Sequence, residues 1–163
     1  MSMNEYNIRI LYIEDSVIDA RILIKSLNNH RQDSYQLDWV ESLKDATKEL
    51  KQNEYDVVLT DLYLPDAEDI NVVTAILDIN NRLPVVVISS EDENTIAMRV
   101  MKAGAQDYLL KNKADGYLVS RAIDYAIERK RIEKGLSYLA QYDSLTGLAN
   151  RALFRERLGR ALI

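Results

Sequence analysis

Short runs rich in β-branched residues alternate along this chain with longer amphipathic ones. Ile8–Ile13 predicts a first strand. Residues 17–27 follow with Ile18, Ile22 and Leu27 at helical spacing and Ala20 and Leu23 between them. Tyr35–Val40 alternates Tyr, Leu and Trp with polar residues, the pattern of a half-exposed strand, and residues 43–50 predict a short helix. The third strand, residues 55–60, has the continuous apolar centre Val57-Val58-Leu59, as expected where helices cover both faces of a sheet. Ile70–Ile79 is helical, residues 84–89 form a strand opened by Pro84, and residues 95–103 form a helix stopped at Gly104. Asp107–Leu110 is the fifth strand, and a long helix begins near Asp115 or Gly116.

Five strand–helix units of this size predict an α/β fold, a parallel sheet with right-handed crossovers, open and doubly wound. Ligands of such sheets bind outside the carboxyl ends of the strands, at the topological switch point. Those ends are therefore where chemistry is expected.

Composition removes several alternatives. The 163 residues suffice for one ordinary domain with a short extension. The apolar run Val85-Val86-Val87-Ile88 is far too short to cross a bilayer, and the first six residues lack a basic segment followed by an apolar one. No membrane segment and no secretory signal are expected, and a cytoplasmic location is the simplest reading. No cysteine is present, so there is no thiolate metal site. A net charge of −5 argues against a nucleic-acid surface. The single histidine, His30, lies in a polar stretch and reads as a solvated loop residue, which leaves histidine catalysis without a candidate.

The strand ends carry Glu14 and Asp15, then Asp61, then Ser89, then Lys111. Singly, each has a plain role: Asp15, Ser16 or Ser89 as helix caps, Asp61 at a turn before Pro65, Lys111 as a solvated lysine. Together they converge. Carboxylates about 4 Å apart repel by roughly 4 kcal/mol per pair at an effective dielectric near 20. Such a cluster needs a bound cation or a retained proton. An all-oxygen ligand set favours a hard ion such as Mg²⁺. A carboxylate beside that ion, a hydroxyl donor and a lysine make a site for receiving a phosphoryl group.

Four stretches carry a family likeness: Ile10-Leu11-Tyr12-Ile13-Glu14-Asp15, residues 57–65 (VVLTDLYLP), residues 84–89 (PVVVIS) and residues 104–111 (GAQDYLLK). Over roughly residues 8–130 the sequence resembles the receiver domains of two-component response regulators. The resemblance implies a flavodoxin-like (βα)5 fold with strand order 2-1-3-4-5 and an extended C-terminal helix. It implies that Asp61 accepts a phosphoryl group from a sensor histidine kinase or a histidine phosphotransfer protein. Asp15, Glu14, Asp61 and the backbone carbonyl of Tyr63 would hold Mg²⁺, Glu14 directly or through water. Ser89 would hydrogen-bond the phosphoryl group, Lys111 would pair with one of its oxygens, and Tyr108 would be the aromatic switch. The fourth helix, fifth strand and fifth helix would form the output face, a possible homodimer surface together with the C-terminal helix.

Three departures from the family pattern matter. Asn112 follows Lys111 where a cis proline is usual, and because a cis Lys–Asn bond would cost about 2.5–4 kcal/mol a trans bond is expected. Asp69 stands where many members have glycine. Tyr63 and Glu91 occupy positions that tune loss of phosphate, and a ring with a carboxylate there predicts slow autodephosphorylation.

Beyond Tyr125 the composition changes. Residues 126–134 carry mixed charges at helical spacing, and Ile132, Leu136 and Leu139 leave an apolar stripe suited to a short coiled coil, weakened by Gly135. The stretch from Tyr142 to Arg151 (YDSLTGLANR) resembles the opening of a diguanylate cyclase (GGDEF) domain, in which the asparagine at the place of Asn150 helps read guanine. The signature of that domain is absent, so this fragment should be no enzyme, although its parent would make cyclic-di-GMP and could carry a phosphodiesterase domain. The expected organisation is a receiver over residues 1–127, a helical linker over 128–142 and a truncated GGDEF start over 143–163. A competing reading is a phosphorylation-independent interaction scaffold, which would typically lack the acidic pair, the aspartate or the lysine. A flavin protein of similar fold ranks last, because Glu14-Asp15 would face a phosphate with negative charge.

Overall fold

The computed structural model describes residues 7–31, 34–142, 146, 148–150, 153 and 154. Strands β1 (Ile8–Ile13), β2 (Tyr35–Val40), β3 (Val57–Thr60), β6 (Val85–Ser89) and β7 (Asp107–Leu110) form one parallel sheet in the order β2-β1-β3-β6-β7. In order of appearance these are the five expected strands, so the order matches 2-1-3-4-5. A two-stranded antiparallel hairpin, β4 (Tyr63–Leu64) and β5 (Ala67–Glu68), intervenes after β3; the sequence reading treated this segment as a turn at Pro65.

Helices α1 (Val17–His30), α2 (Leu43–Gln52), α3 (Ile70–Ile79), α4 (Asn94–Lys102) and α5 (Gly116–Gln141) connect the strands. Helix α1 runs three residues past the end expected at Leu27, because the polar residues Asn28, Asn29 and His30 still continue the backbone ladder to the Arg31 cap. Side chains supply the starts of α1 and α2. The Ser16 hydroxyl accepts from the Asp19 amide, and the Ser42 hydroxyl accepts from the Asp45 amide. Asp66, at the hairpin tip, adds a second cap to α2 by accepting from the Leu43 and Lys44 amides at 2.9 and 2.8 Å.

Strand periodicity divides the core in two. Ile10, Tyr12, Val57, Leu59, Val86, Ile88 and Leu109 pack with α1 and α5, whose Leu23, Leu27, Val119 and Ile123 are buried. Leu11, Ile13, Val58, Val85 and Val87 face the other way, onto Ala46 of α2, Val73 and Ile76 of α3 and Val100 of α4. Both faces of the central strands are thus covered, which is why their sequence is apolar without alternation.

The chain divides into two compact units, Met1–Ile127 and Glu128–Ile163. In the second, Ile132 and Leu136 are exposed, the Tyr138 and Tyr142 rings stack at 4.7 Å, and the Asn150 side chain accepts from the Leu153 amide at 3.0 Å, as a helix cap does. The side chain of Leu139, half of the GGDEF-like stretch (Asp143, Ser144, Leu145, Gly147 and Arg151) and residues 152 and 155–163 lie outside the described residues. Among the described residues no helix is long and apolar enough to cross a membrane.

Helix α5 starts against α1 with no room for a side chain: a Cβ on Gly116 would lie 2.1 Å from the Ser26 carbonyl oxygen. Gly116→Ala should therefore destabilise the fold by about 1–3 kcal/mol, the usual range for overpacking. A urea midpoint equal to the parent's would show that the two helices separate freely.

Candidate functional site

Period-two geometry explains which side chains meet. Residues 10 and 12 of β1, 57 and 59 of β3, and 109 of β7 face α1 and α5. Continuing each count past the strand end puts Glu14, Asp61 and Lys111 on that same face. The chain reverses its winding direction between β1 and β3, so Glu14 and Asp61 flank the switch point.

There the Lys111 ammonium lies 2.7 Å from Glu14 Oε2, 2.7 Å from Asp61 Oδ2 and 3.1 Å from Asp19 Oδ2. Asp15 is exposed and Glu14 fully buried, and oxygens of Glu14, Asp15 and Asp61 lie within 4.8 Å of one another. The set of carboxylate oxygens suits a hard divalent cation, and the exposed Asp15 leaves one side open to solvent and its waters.

The buried Glu14 carboxylate is held from several directions. It accepts from the Ser16 amide at 3.1 Å and from the Tyr12 hydroxyl at 3.2 Å, while its backbone carbonyl accepts from the Trp39 indole at 2.8 Å. Burial pushes the Glu14 carboxyl above its usual range, and Asp61 adds to the push; Lys111 and the Ser16 amide oppose it. Burial alone would lower the Lys111 ammonium, but hydrogen bonds and charge from Asp61 and Glu14 outweigh it and hold the ammonium above its ordinary value. Burial and the Glu14 carboxylate raise the Tyr12 phenol, which stays a hydrogen-bond donor. Asp61 itself is oriented by the Leu62 amide, which donates to its Oδ1 at 2.6 Å.

Ser89 and Tyr108 have the opposite parity and belong to the other face, where Tyr108 packs against the core shared by α2, α3 and α4. The Tyr108 hydroxyl donates to the Glu91 carbonyl at 2.7 Å, and the Ser89 hydroxyl accepts from the Glu91 amide at 3.4 Å. Burial raises the Tyr108 phenol while Ser89 opposes the shift. The Lys111 amide donates to the Ser89 carbonyl at 2.9 Å, joining the two groups through backbone. Tyr63 projects outward at 40% exposure from the hairpin. Among the described residues there are no cis peptide bonds, so Lys111–Asn112 is trans as expected. Asp69, where glycine is usual in the family, takes φ +57°.

The structure therefore gathers Glu14, Asp15, Asp61 and Lys111, and sets Ser89 and Tyr108 beside them across the sheet. Sequence reading missed Tyr12, Asp19 and Trp39. Tyr12 could have been found as the residue two before Glu14 on the same strand face. Trp39 pairs with Tyr12 in the β1–β2 register, and nothing local marks its indole as a donor to Glu14.

A family model described as the response regulator receiver domain matches residues 10–123. The chain belongs to the response regulator receiver family. The swarming motility regulation protein RssB of Serratia marcescens is 28% identical over 112 residues, which cover 69% of this chain and 50% of that protein. The chain thus spans about half the length of the curated relatives it matches. Among solved structures, a response regulator receiver domain protein from Clostridium thermocellum superposes with a TM-score of 0.65 at 28% identity, covering 77% of this chain and 98% of that one. The N-terminal domain of a response regulator/sensory box/GGDEF three-domain protein from Carboxydothermus hydrogenoformans does so with a TM-score of 0.65 at 22% identity, covering 77% and 98%, which shows the shared fold.

In this receiver domain Lys111 offsets two buried or nearly buried carboxylates. Because its folded value is raised, its contribution is fully present below the ordinary 10.5 and is lost only as pH climbs through the folded value. At pH 7 without added metal, Lys111→Met should cost about 1–3 kcal/mol in urea unfolding, the range for charged hydrogen bonds. An unchanged midpoint would mean that the ammonium does not offset Glu14.

Proposed function

We propose that this domain accepts a phosphoryl group on Asp61 from the phosphohistidine of a sensor histidine kinase or histidine phosphotransfer protein. The observation that carries the proposal is the Asp61 carboxylate held between the Lys111 ammonium at 2.7 Å and the Leu62 amide at 2.6 Å, beside Glu14 and Asp15 in a receiver fold. Glu14, Asp15, Asp61 and the Tyr63 carbonyl would hold Mg²⁺, which when bound supplies positive charge against the phosphoryl oxygens. Leu62 fixes one Asp61 oxygen, Lys111 takes up phosphoryl charge from the α1 face, and Ser89 donates its hydroxyl from the other. As Ser89 turns toward the phosphoryl group its contact with the Glu91 amide is given up. That releases the loop to which Tyr108 is also bonded, and so carries the signal to α4, β7 and α5.

The output is a cyclic-di-GMP-synthesising domain in a longer parent protein, read from the Tyr142–Arg151 likeness. The solved receiver from the three-domain GGDEF protein offers a precedent for joining this fold to such an output. We place the receiver over residues 1–127, the helical linker over 128–142 and the start of the output domain from 143. The exposed Ile132 and Leu136 of the linker would pair two copies, together with the α4–β7–α5 face.

Incubation with acetyl phosphate and Mg²⁺ should add one phosphoryl group by intact mass, and neither chelated wild type nor Asp61→Asn should gain it. A folded protein that takes up nothing under these conditions would instead be a phosphorylation-independent scaffold. The lifetime gives a separate reading. Tyr63 and Glu91 obstruct attacking water in this proposal, so the phosphorylated form should persist well beyond seconds after donor removal. Decay within seconds would refute that obstruction.

A further inference from the structure

An ammonium group has three N–H donors, and around Lys111 three carboxylates take them up: Glu14, Asp61 and Asp19. Pairing with a phosphoryl oxygen requires one of these partners to let go. The three are unequal. Glu14 is fully buried, so water cannot replace the lost donor there, and a buried carboxylate stripped of its cation is strongly disfavoured. Asp61 is the acceptor itself and carries the arriving group. The Asp19 side chain is 40% exposed and its contact is the longest, at 3.1 Å. Solvent can take over its hydrogen bond at small cost.

We propose that Asp19 is a positioning residue that competes with the incoming phosphoryl group for the Lys111 ammonium, and so slows uptake of phosphate on Asp61. The inference rests on the phosphoacceptor reading above. In the step concerned, an Asp61 carboxylate oxygen bonds to phosphorus while the bond from phosphorus to the acetate oxygen breaks. Acetate leaves with the electron pair, and no net proton moves. Lys111 turns from Asp19 toward the transferring group, and Asp19 is left to water.

Asp19 sits on the first turn of α1, and its helix-capping contact with Ser16 uses the backbone amide, not the carboxylate. Asp19→Asn therefore removes the competing charge and leaves the cap in place. The test measures phosphorylation rate by intact mass with acetyl phosphate at saturating Mg²⁺, alongside urea midpoint and Mg²⁺ affinity. Asp78→Asn, an exposed change of equal charge on α3, serves as control. Asp19→Asn should phosphorylate about two- to five-fold faster, the factor corresponding to a partly exposed ion pair, while Asp78→Asn matches wild type. A rate for Asp19→Asn equal to or below wild type, or an equal acceleration in Asp78→Asn, overturns the proposal. If wild type itself takes up no phosphoryl group, the phosphoacceptor reading fails first, and that result is distinct from wild type and Asp19→Asn reacting alike.

Discussion

A carboxylate placed wholly out of water constrains everything else at the carboxyl end of this sheet. Glu14 is fully buried and has Asp61 and Asp15 as neighbours. Transferring an ionised carboxylate into protein costs several kcal/mol even after relaxation, and repulsion from a second one adds to it. The protein answers with the Lys111 ammonium, the Tyr12 hydroxyl and the Ser16 amide, each within 3.2 Å. These contacts do not remove the strain, for the Glu14 carboxyl still lies above its usual range. A site in that condition gains more from an added cation than a solvated cluster would, because the cation relieves repulsion already present.

The sheet then sorts the residues at its carboxyl end into two layers. Strand periodicity puts Glu14, Asp61 and Lys111 on the face covered by α1 and α5, while Ser89 and Tyr108 belong to the face covered by α2, α3 and α4. Asp61 stands at the end of β3, between the strands carrying the acidic pair and the serine. A change at Asp61 can therefore pull on both layers at once. One backbone link joins them, the Lys111 amide on the Ser89 carbonyl at 2.9 Å, and the Tyr108 hydroxyl on the Glu91 carbonyl at 2.7 Å ties the ring to the loop beyond Ser89. Such links transmit a change only if the loop they hold has a second stable arrangement. The Glu91 segment fits that need, since Ser89 and Tyr108 hold it by one contact each.

Much of this was legible in the sequence, and the reason is that the signal was periodic. The five main strands follow from apolar runs spaced by amphipathic ones, their order from the receiver-domain resemblance, and the polar residue ending each run named Glu14, Asp61, Ser89 and Lys111. The β4–β5 hairpin was not legible, because two-residue strands carry no period to read. Asp19 escaped for another reason. From sequence it is one more acidic residue in the first turn of a helix, a place where acids are favoured for capping and dipole reasons alone. Only the path of Lys111 across the sheet gives it a chemical partner. Trp39 was assigned correctly to its strand, yet its hydrogen bond to Glu14 depends on the β1–β2 register.

Asp69 shows how a departure from the family pattern is absorbed. The backbone there keeps φ at +57° and ψ at −140°, a region that disfavours any residue with a side chain by about 1–3 kcal/mol. The fold thus retains the turn that glycine makes freely. Its ion pair with Arg99 of α4 is half-exposed on the arginine side and contributes at most about 1 kcal/mol. Its other oxygen, Oδ1, is buried with no hydrogen-bond partner among the described residues. The side chain alone does not offset the backbone cost. The remainder falls to the backbone itself, through the Asp69 amide on the Leu62 carbonyl at 2.9 Å and the Val72 amide on the Asp69 carbonyl at 3.2 Å. Leu62 also orients Asp61, so the residue that steadies the strained turn is the one that steadies the Asp61 carboxylate. The strain at Asp69 is therefore borne by the same short segment that presents Asp61, and relaxing one would loosen the other.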